Sequence, residues 1–167
     1  MSILGRGLEY TVEVVKNGVV LESSVERNLL PQSAVNHIAG LIRGSGPTPI
    51  SSWYIGLFEN NYIPDSSVTA ADLQVTVGES QAYSAATRPS WVNAFDGTAL
   101  ISNAASIAEF TMTSTKTIYG AFIVSNATKG GTGGLLFSIA RFSTAKQVES
   151  GLVLRVTAAL SITPTTP

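Results

Sequence analysis

Few side chains in this sequence can do chemistry, and fewer lie close together. Glu59 and Asp65 flank the polar stretch Asn60-Asn61-Tyr62, and two carboxylates placed across a cleft are what glycoside hydrolysis requires. The same residues read more simply as a solvated turn after a buried strand. His37 is the one imidazole, no Gly-x-Ser-x-Gly elbow surrounds any serine, and cysteine is absent. Serine triads and thiol nucleophiles therefore lack their parts, as do thiolate zinc sites, iron–sulfur clusters and disulfides. Asp65 has no run of alternating acids around it to form a cation loop. No catalytic residue, cofactor or metal is expected.

Two further patterns invite a functional reading. Lys129-Gly130-Gly131-Thr132-Gly133-Gly134 is glycine-rich like a phosphate loop, but it lacks the Gly-Lys-Ser/Thr ending and runs into Leu135-Leu136-Phe137 instead of a helix. It reads as a flexible hairpin loop. Arg88-Pro89-Ser90-Trp91 places a cation and an indole together after Tyr83, which suits a stacking pair, a carbohydrate platform, or a cluster that pins a loop to the surface. Asn126-Ala127-Thr128 fits a glycosylation acceptor only if the chain is secreted. Met1-Ser2-Ile3-Leu4 leads into Gly-Arg-Gly without a basic start or apolar run, so no signal peptide is expected.

The elements that must position these residues are mostly strands. The 167-residue chain is 44% apolar but only 13% charged, with 20 serines and 17 threonines, so its polar surface is rich in hydroxyls and poor in ions. A net charge of −1 gives no electrostatic footprint for nucleic acid or an anionic membrane, and neither partner is expected. Residues 44–58, 97–108, 117–128 and 156–167 carry no charge. Each is interrupted by polar residues, glycine or proline before it reaches the roughly 20 apolar residues of a membrane helix. Such segments point inward or meet another protein.

Asn17-Gly18 between Leu8–Lys16 and Val19–Glu26 predicts a type I′ hairpin. In that register Val14 faces Leu21, Val12 faces Ser23, Tyr10 faces Val25 and Glu13 faces Glu22. Like charges directly opposite point that side toward solvent or a basic partner group. Residues 31–43 have helical spacing of Val35, Ile38, Ala39, Leu41 and Ile42, with Pro31 in the first turn and Gly44 as terminator. His37 falls opposite that stripe, as a solvated residue.

Ser52–Phe58 is apolar on both parities, as in a strand buried on two faces. Thr69-Ala70-Ala71-Asp72 has the form of a capping box. Further strands are expected at Ala99–Ile101, Ile107–Thr113, Thr117–Ser125, Leu135–Phe142 and Leu152–Ile162. The expected fold is mainly β: an antiparallel β-sandwich or barrel, jelly-roll-like, with an N-terminal hairpin and one or two short helices. Its parts are a hairpin arm over 1–27, a β-sandwich domain over 28–162 and an extended tail over 163–167.

Trp53-Tyr54-Ile55-Gly56-Leu57-Phe58, the Tyr62–Leu73 loop, Ala86-Thr87-Arg88-Pro89-Ser90-Trp91, Tyr119-Gly120-Ala121-Phe122, Lys129-Gly130-Gly131, Gly134-Leu135-Leu136 and Ser150-Gly151-Leu152-Val153-Leu154-Arg155-Val156 together resemble small virion structural proteins of tailed bacteriophages. The resemblance spans residues 28–162, and its motifs determine fold more than chemistry. It implies a non-enzymatic, β-rich capsid decoration or cement protein on the capsid exterior, made in the bacterial host cytoplasm, whose partner is the major capsid protein. A homo-oligomer is expected, a trimer ahead of a dimer. The candidate contact residues are Tyr10, Asn17 and Gly18 on the ribbon, Trp53 and Tyr62 around the core strand, Arg88 and Trp91, and Lys129, Gly130, Gly131, Gly133 and Gly134. A tail, collar or fibre protein meeting host glycans through Trp53, Tyr54, Tyr62 and Trp91 is the first alternative. A carboxylate-dependent glycan hydrolase is the second.

Overall fold

The computed structural model describes residues 7–162. The tail expected over 163–167 lies outside them. Strands β1 (Leu8–Lys16) and β2 (Val19–Arg27) pair antiparallel through Asn17-Gly18, whose φ angles are 50° and 78°. Two positive φ angles in succession are what a type I′ turn demands, and glycine meets that demand at the second position without strain.

Lys16 faces Val19 and Val15 faces Val20 as expected, but a bulge then inserts Leu21. Val14 consequently faces Glu22, Val12 faces Ser24 and Tyr10 faces Glu26. A bulge re-aims every side chain beyond it, so Leu21 turns outward while Glu22 and Glu26 turn toward the opposing sheet. The expected Glu13–Glu22 opposition does not occur. Glu13 faces Ser23 on one side and Arg155 on the other, so its basic neighbour belongs to the same sheet.

The ribbon is part of the body and not a projecting arm. β1 pairs along its length with β9 (Val153–Ser161), which also pairs with β5 (Leu100–Ser102) and β6 (Ala108–Thr111). β4 (Ala94–Phe95) completes a six-stranded sheet in the order β2-β1-β9-β5-β4, with β6 beside β9. The second sheet has the order β3-β7-β8, from β3 (Tyr54–Phe58), β7 (Lys116–Val124) and β8 (Leu136–Val148). Both sheets are antiparallel and face each other as a sandwich; they do not close into a barrel.

Leu8, Tyr10, Val12 and Val14 from β1 meet Ile55, Leu57, Ala121, Ile123, Ala140 and Phe142 from the three-stranded sheet in the main core. The outer face of that sheet is covered too. Phe58, Phe122, Val124, Leu136 and Ile139 pack beneath Val68, Leu73 and Val77 of the long excursion after β3. Two-sided burial explains why Ile55 to Phe58 is apolar at every side-chain position. It also explains two glycines: Gly56 faces Phe122 and Gly120 faces Phe58 across the ladder. A Cβ on either would lie 2.2 Å from the phenylalanine ring opposite.

Helix α1 (Gln32–Arg43) follows Pro31 and ends at Gly44, in the left-handed conformation with φ 64°. Thr69 and Asp72 form the expected capping box around a single 3-10 turn, Ala70–Asp72. β8 continues six residues past the expected Phe142, because Ser143 and Lys146 find carboxylate partners on β2.

Candidate functional site

Strand directions separate two groups of residues. The turn Asn17-Gly18 lies near the C-terminal end of β8, where Lys146 binds Glu22, and the β7–β8 loop lies at the opposite end. The centre of that loop end is Arg88, whose side chain is 0% exposed, as is that of its partner Glu79. The guanidinium donates Nε and Nη2 to the two carboxylate oxygens at 2.7 and 2.6 Å. Nη1 and Nη2 also donate to the carbonyls of Asn126 and Gly131, both at 2.8 Å. Gly130 N–H donates to Glu79 Oε2 at 3.0 Å, and the guanidinium carbon stands 5.4 Å from the Phe122 ring centroid. Both charges thus have matched partners, which a buried pair needs to offset its desolvation.

The arrangement pins the glycine-rich loop to the 79–91 segment. Lys129 strengthens the pin: its ammonium lies 4.0 Å above the Tyr83 ring and donates to the carbonyls of Tyr83 at 2.8 Å and Gln81 at 3.3 Å. Desolvation holds its pKa below the ordinary lysine value. The loop expected to be flexible is anchored at Lys129, Gly130 and Gly131, while Gly133 and Gly134 remain exposed.

Several expected contact residues are internal. Tyr10 is fully buried and donates its hydroxyl to Ser138 at 2.8 Å, since its position on β1 points between the sheets. Arg88 is consumed by Glu79. Trp91 is buried, with its indole N–H donated to the Ala158 carbonyl at 3.1 Å, so it offers no open platform for a sugar ring. Trp53 and Tyr62 are half-buried; the Trp53 ring rests against Phe137 at 5.0 Å, and Tyr62 packs on the outer core. Asn17 and Gly18 are exposed at the ribbon tip. Beside Trp53, Ser51, Ser52, Tyr54, Ser90 and Asn93 line a polar cleft of about 380 Å³. His37 stands apart from it, on a neighbouring apolar groove under α1 with Leu41, Ile50 and Phe137.

The carboxylates weighed for hydrolysis are engaged elsewhere. Glu59 accepts from Lys116 at 2.9 Å. Asp65 accepts from the Ser67 hydroxyl at 2.6 Å and amide at 2.7 Å, which hold its carboxyl below the usual range. A general acid needs the opposite shift.

The surface that sequence reading missed is β2. Val19, Leu21 and Val25 are 61%, 57% and 63% exposed, and Val20 is exposed beside them. The signal was present as four apolar residues in a nine-residue strand, but the unbroken register turned Leu21 and Val25 inward. On its inner side Glu22 binds the buried Lys146, and Glu26 accepts the Ser143 amide at 2.8 Å and hydroxyl at 3.1 Å. β2 therefore turns its two carboxylates to partners on β8 and its apolar side chains toward water. No family model matches the chain, and no curated protein matches it.

Proposed function

We propose that the chain is a non-enzymatic structural protein of a tailed-bacteriophage virion, a decoration protein that binds and stabilises the major capsid protein lattice. It is made in the host cytoplasm, sits on the capsid exterior and acts as a homo-oligomer. One observation carries the reading: the polar groups singled out for chemistry serve the fold, whereas the surface offers apolar and hydroxyl-bearing strands. Arg88 and Glu79 lock a loop, Glu59 pairs with Lys116 at the start of β7, Asp65 holds a turn, and Trp91 ties a loop to β9. Exposed valines and leucine gather on β2.

Contacts from such a surface depend on buried area and backbone hydrogen bonds more than on ions, so salt weakens them little. Repetition over a lattice lets a modest affinity per copy suffice. Imaging purified particles tests the proposal. Density for this chain over the capsid lattice is expected, and density confined to the tail overturns the decoration role.

The cleft beside Trp53 favours one second reading, a tail, collar or fibre component that meets host glycans. Three serines, Tyr54 and Asn93 around an indole edge give hydroxyl and amide partners for a neutral sugar. Trp53→Ala reducing attachment of particles to cells, with normal particle assembly, is the result this reading requires.

A further inference from the structure

A sheet edge is a row of unpaired backbone donors and acceptors, and this fold covers most of its edges. The outer edge of β3 is closed by segments 78–80 and 89–91, through Ile55 to Pro89, Ser80 to Leu57 and Trp91 to Trp53, each at 2.8 Å. Leu29 closes β8 at Ile139 with bonds of 2.8 and 3.1 Å, and Glu26 takes the Ser143 amide, which leaves the polar end of β8 beyond Ser143 uncovered. Residues 82–84 close β6 beside Thr111 and Thr113, each at 2.9 Å. β4 is two residues long. β2 is nine residues long and, among the described residues, its backbone bonds only to β1. It carries neither lysine nor proline, and its bulge at Leu21 and inward Glu22 and Glu26 confine pairing to the stretch around Ser23.

We propose that β2 is an interface between two copies of this chain, paired antiparallel with its own counterpart across a two-fold axis at Ser23. The occupant follows from the edges. A head-to-tail contact needs a second, different free edge; the one long candidate, β8 beyond Ser143, exposes Ser143, Thr144 and Gln147 and no large apolar side chain, so the matching partner for the apolar edge of β2 is β2 itself and the pairing is isologous. Charge then selects the register. With the axis at Ser23, the midpoint of Val19–Arg27, Leu21 faces Val25 of the second copy, Glu22 faces Ser24 and Val20 faces Glu26. Moving the axis to Glu22 sets Glu22 against itself, and moving it to Ser24 sets Glu22 against Glu26. Like charges directly opposite oppose pairing. The Ser23 register alone combines two Leu–Val pairs with no like-charge pair, and the bulge at Leu21 bounds its ladder on each side. The dimer follows from the geometry of the edge and does not depend on the virion reading; it is the state that the sequence places behind a trimer.

The chain contains no cysteine, so one introduced thiol reports the axis. Directly opposed residues have Cα atoms about 4.5–5.5 Å apart, inside the roughly 4.4–6.8 Å that a disulfide spans. Ser23→Cys is therefore expected to join two copies under mild oxidation, reversed by dithiothreitol. Val25→Cys, displaced four residues along the strand, holds its two thiols about 13 Å apart and stays single. Both positions are exposed, so circular dichroism of each variant should match the native chain. Crosslinking of Ser23→Cys without Val25→Cys supports the two-fold pairing. Crosslinking of neither, of both equally, or of Val25→Cys alone overturns it.

Discussion

The loop end of the sandwich and the β2 edge invert the usual placement of side chains. At the loop end a guanidinium and a carboxylate are removed from water, and between them they hold the Asn126 and Gly131 carbonyls and the Gly130 amide. Along β2, branched apolar side chains are left in water while Glu26 is drawn inside and the half-exposed Glu22 reaches the buried Lys146. The first region specifies one conformation, because both charges of the pair and the loop carbonyls and amide around them are held by matched partners. The second leaves area and backbone bonds unspent, which is a capacity for association. Stability and contact are thus assigned to separate places, and substitutions should separate them.

The largest effect is expected at the loop end. Arg88→Ala leaves Glu79 buried without its cation and frees two loop carbonyls, a loss of about 3–5 kcal/mol in urea unfolding. Replacing both residues with methionine should cost less, but the stranded carbonyls and Gly130 amide keep it from being neutral. A loss below about 1 kcal/mol for Arg88→Ala would show that the pair does not hold the loop.

A smaller effect belongs to the ribbon tip. Gly18→Val forces a β-branched residue into positive φ and should cost about 1–2 kcal/mol, read as a lower unfolding midpoint. Unchanged stability would refute the type I′ turn. Because the turn fixes where β2 begins, this variant should also weaken association, whereas Arg88→Ala should not at temperatures where it remains folded.

The smallest effect is a pH dependence remote from both regions. Asp96 accepts the amides of Thr98, Ala99 and Leu100 at 2.8, 2.9 and 3.0 Å, which hold its carboxyl well below the usual range. A depressed folded pKa adds stability that is complete above the unfolded value of about 3.9 and is lost as pH falls through the folded value. Asp96→Asn should flatten that part of the acid limb by lowering stability at pH 7 toward its acid value while leaving stability at the acid end nearly unchanged. An identical acid limb would contradict the role.

What was legible in the sequence was local. Asn17-Gly18 announced its turn, Pro31 and Gly44 bounded the helix, and apolar residues on both parities marked β3 as buried on two sides. What was hidden depended on distant partners. Leu21 turns out because Glu22 meets Lys146 on β8, a pairing 124 residues apart that no local spacing encodes. Ser143 and Lys146 read as the end of a strand until Glu26 and Glu22 supply their contacts. Arg88 and Trp91 were singled out correctly as unusual, but amphipathic side chains read alike whether they face solvent or core. Only Glu79 and the Ala158 carbonyl settle which.

The claim that one region stabilises and the other associates is tested most directly by sedimentation velocity over a range of concentrations, on the native chain and on Leu21→Lys/Val25→Lys. The native chain should move from one copy to two as concentration rises. The double variant should remain single, with a melting temperature close to native, since exposed substitutions usually change stability by within about 0.5 kcal/mol each. A native chain that stays single throughout, one that forms trimers, or a double variant that associates as the native does would contradict the account.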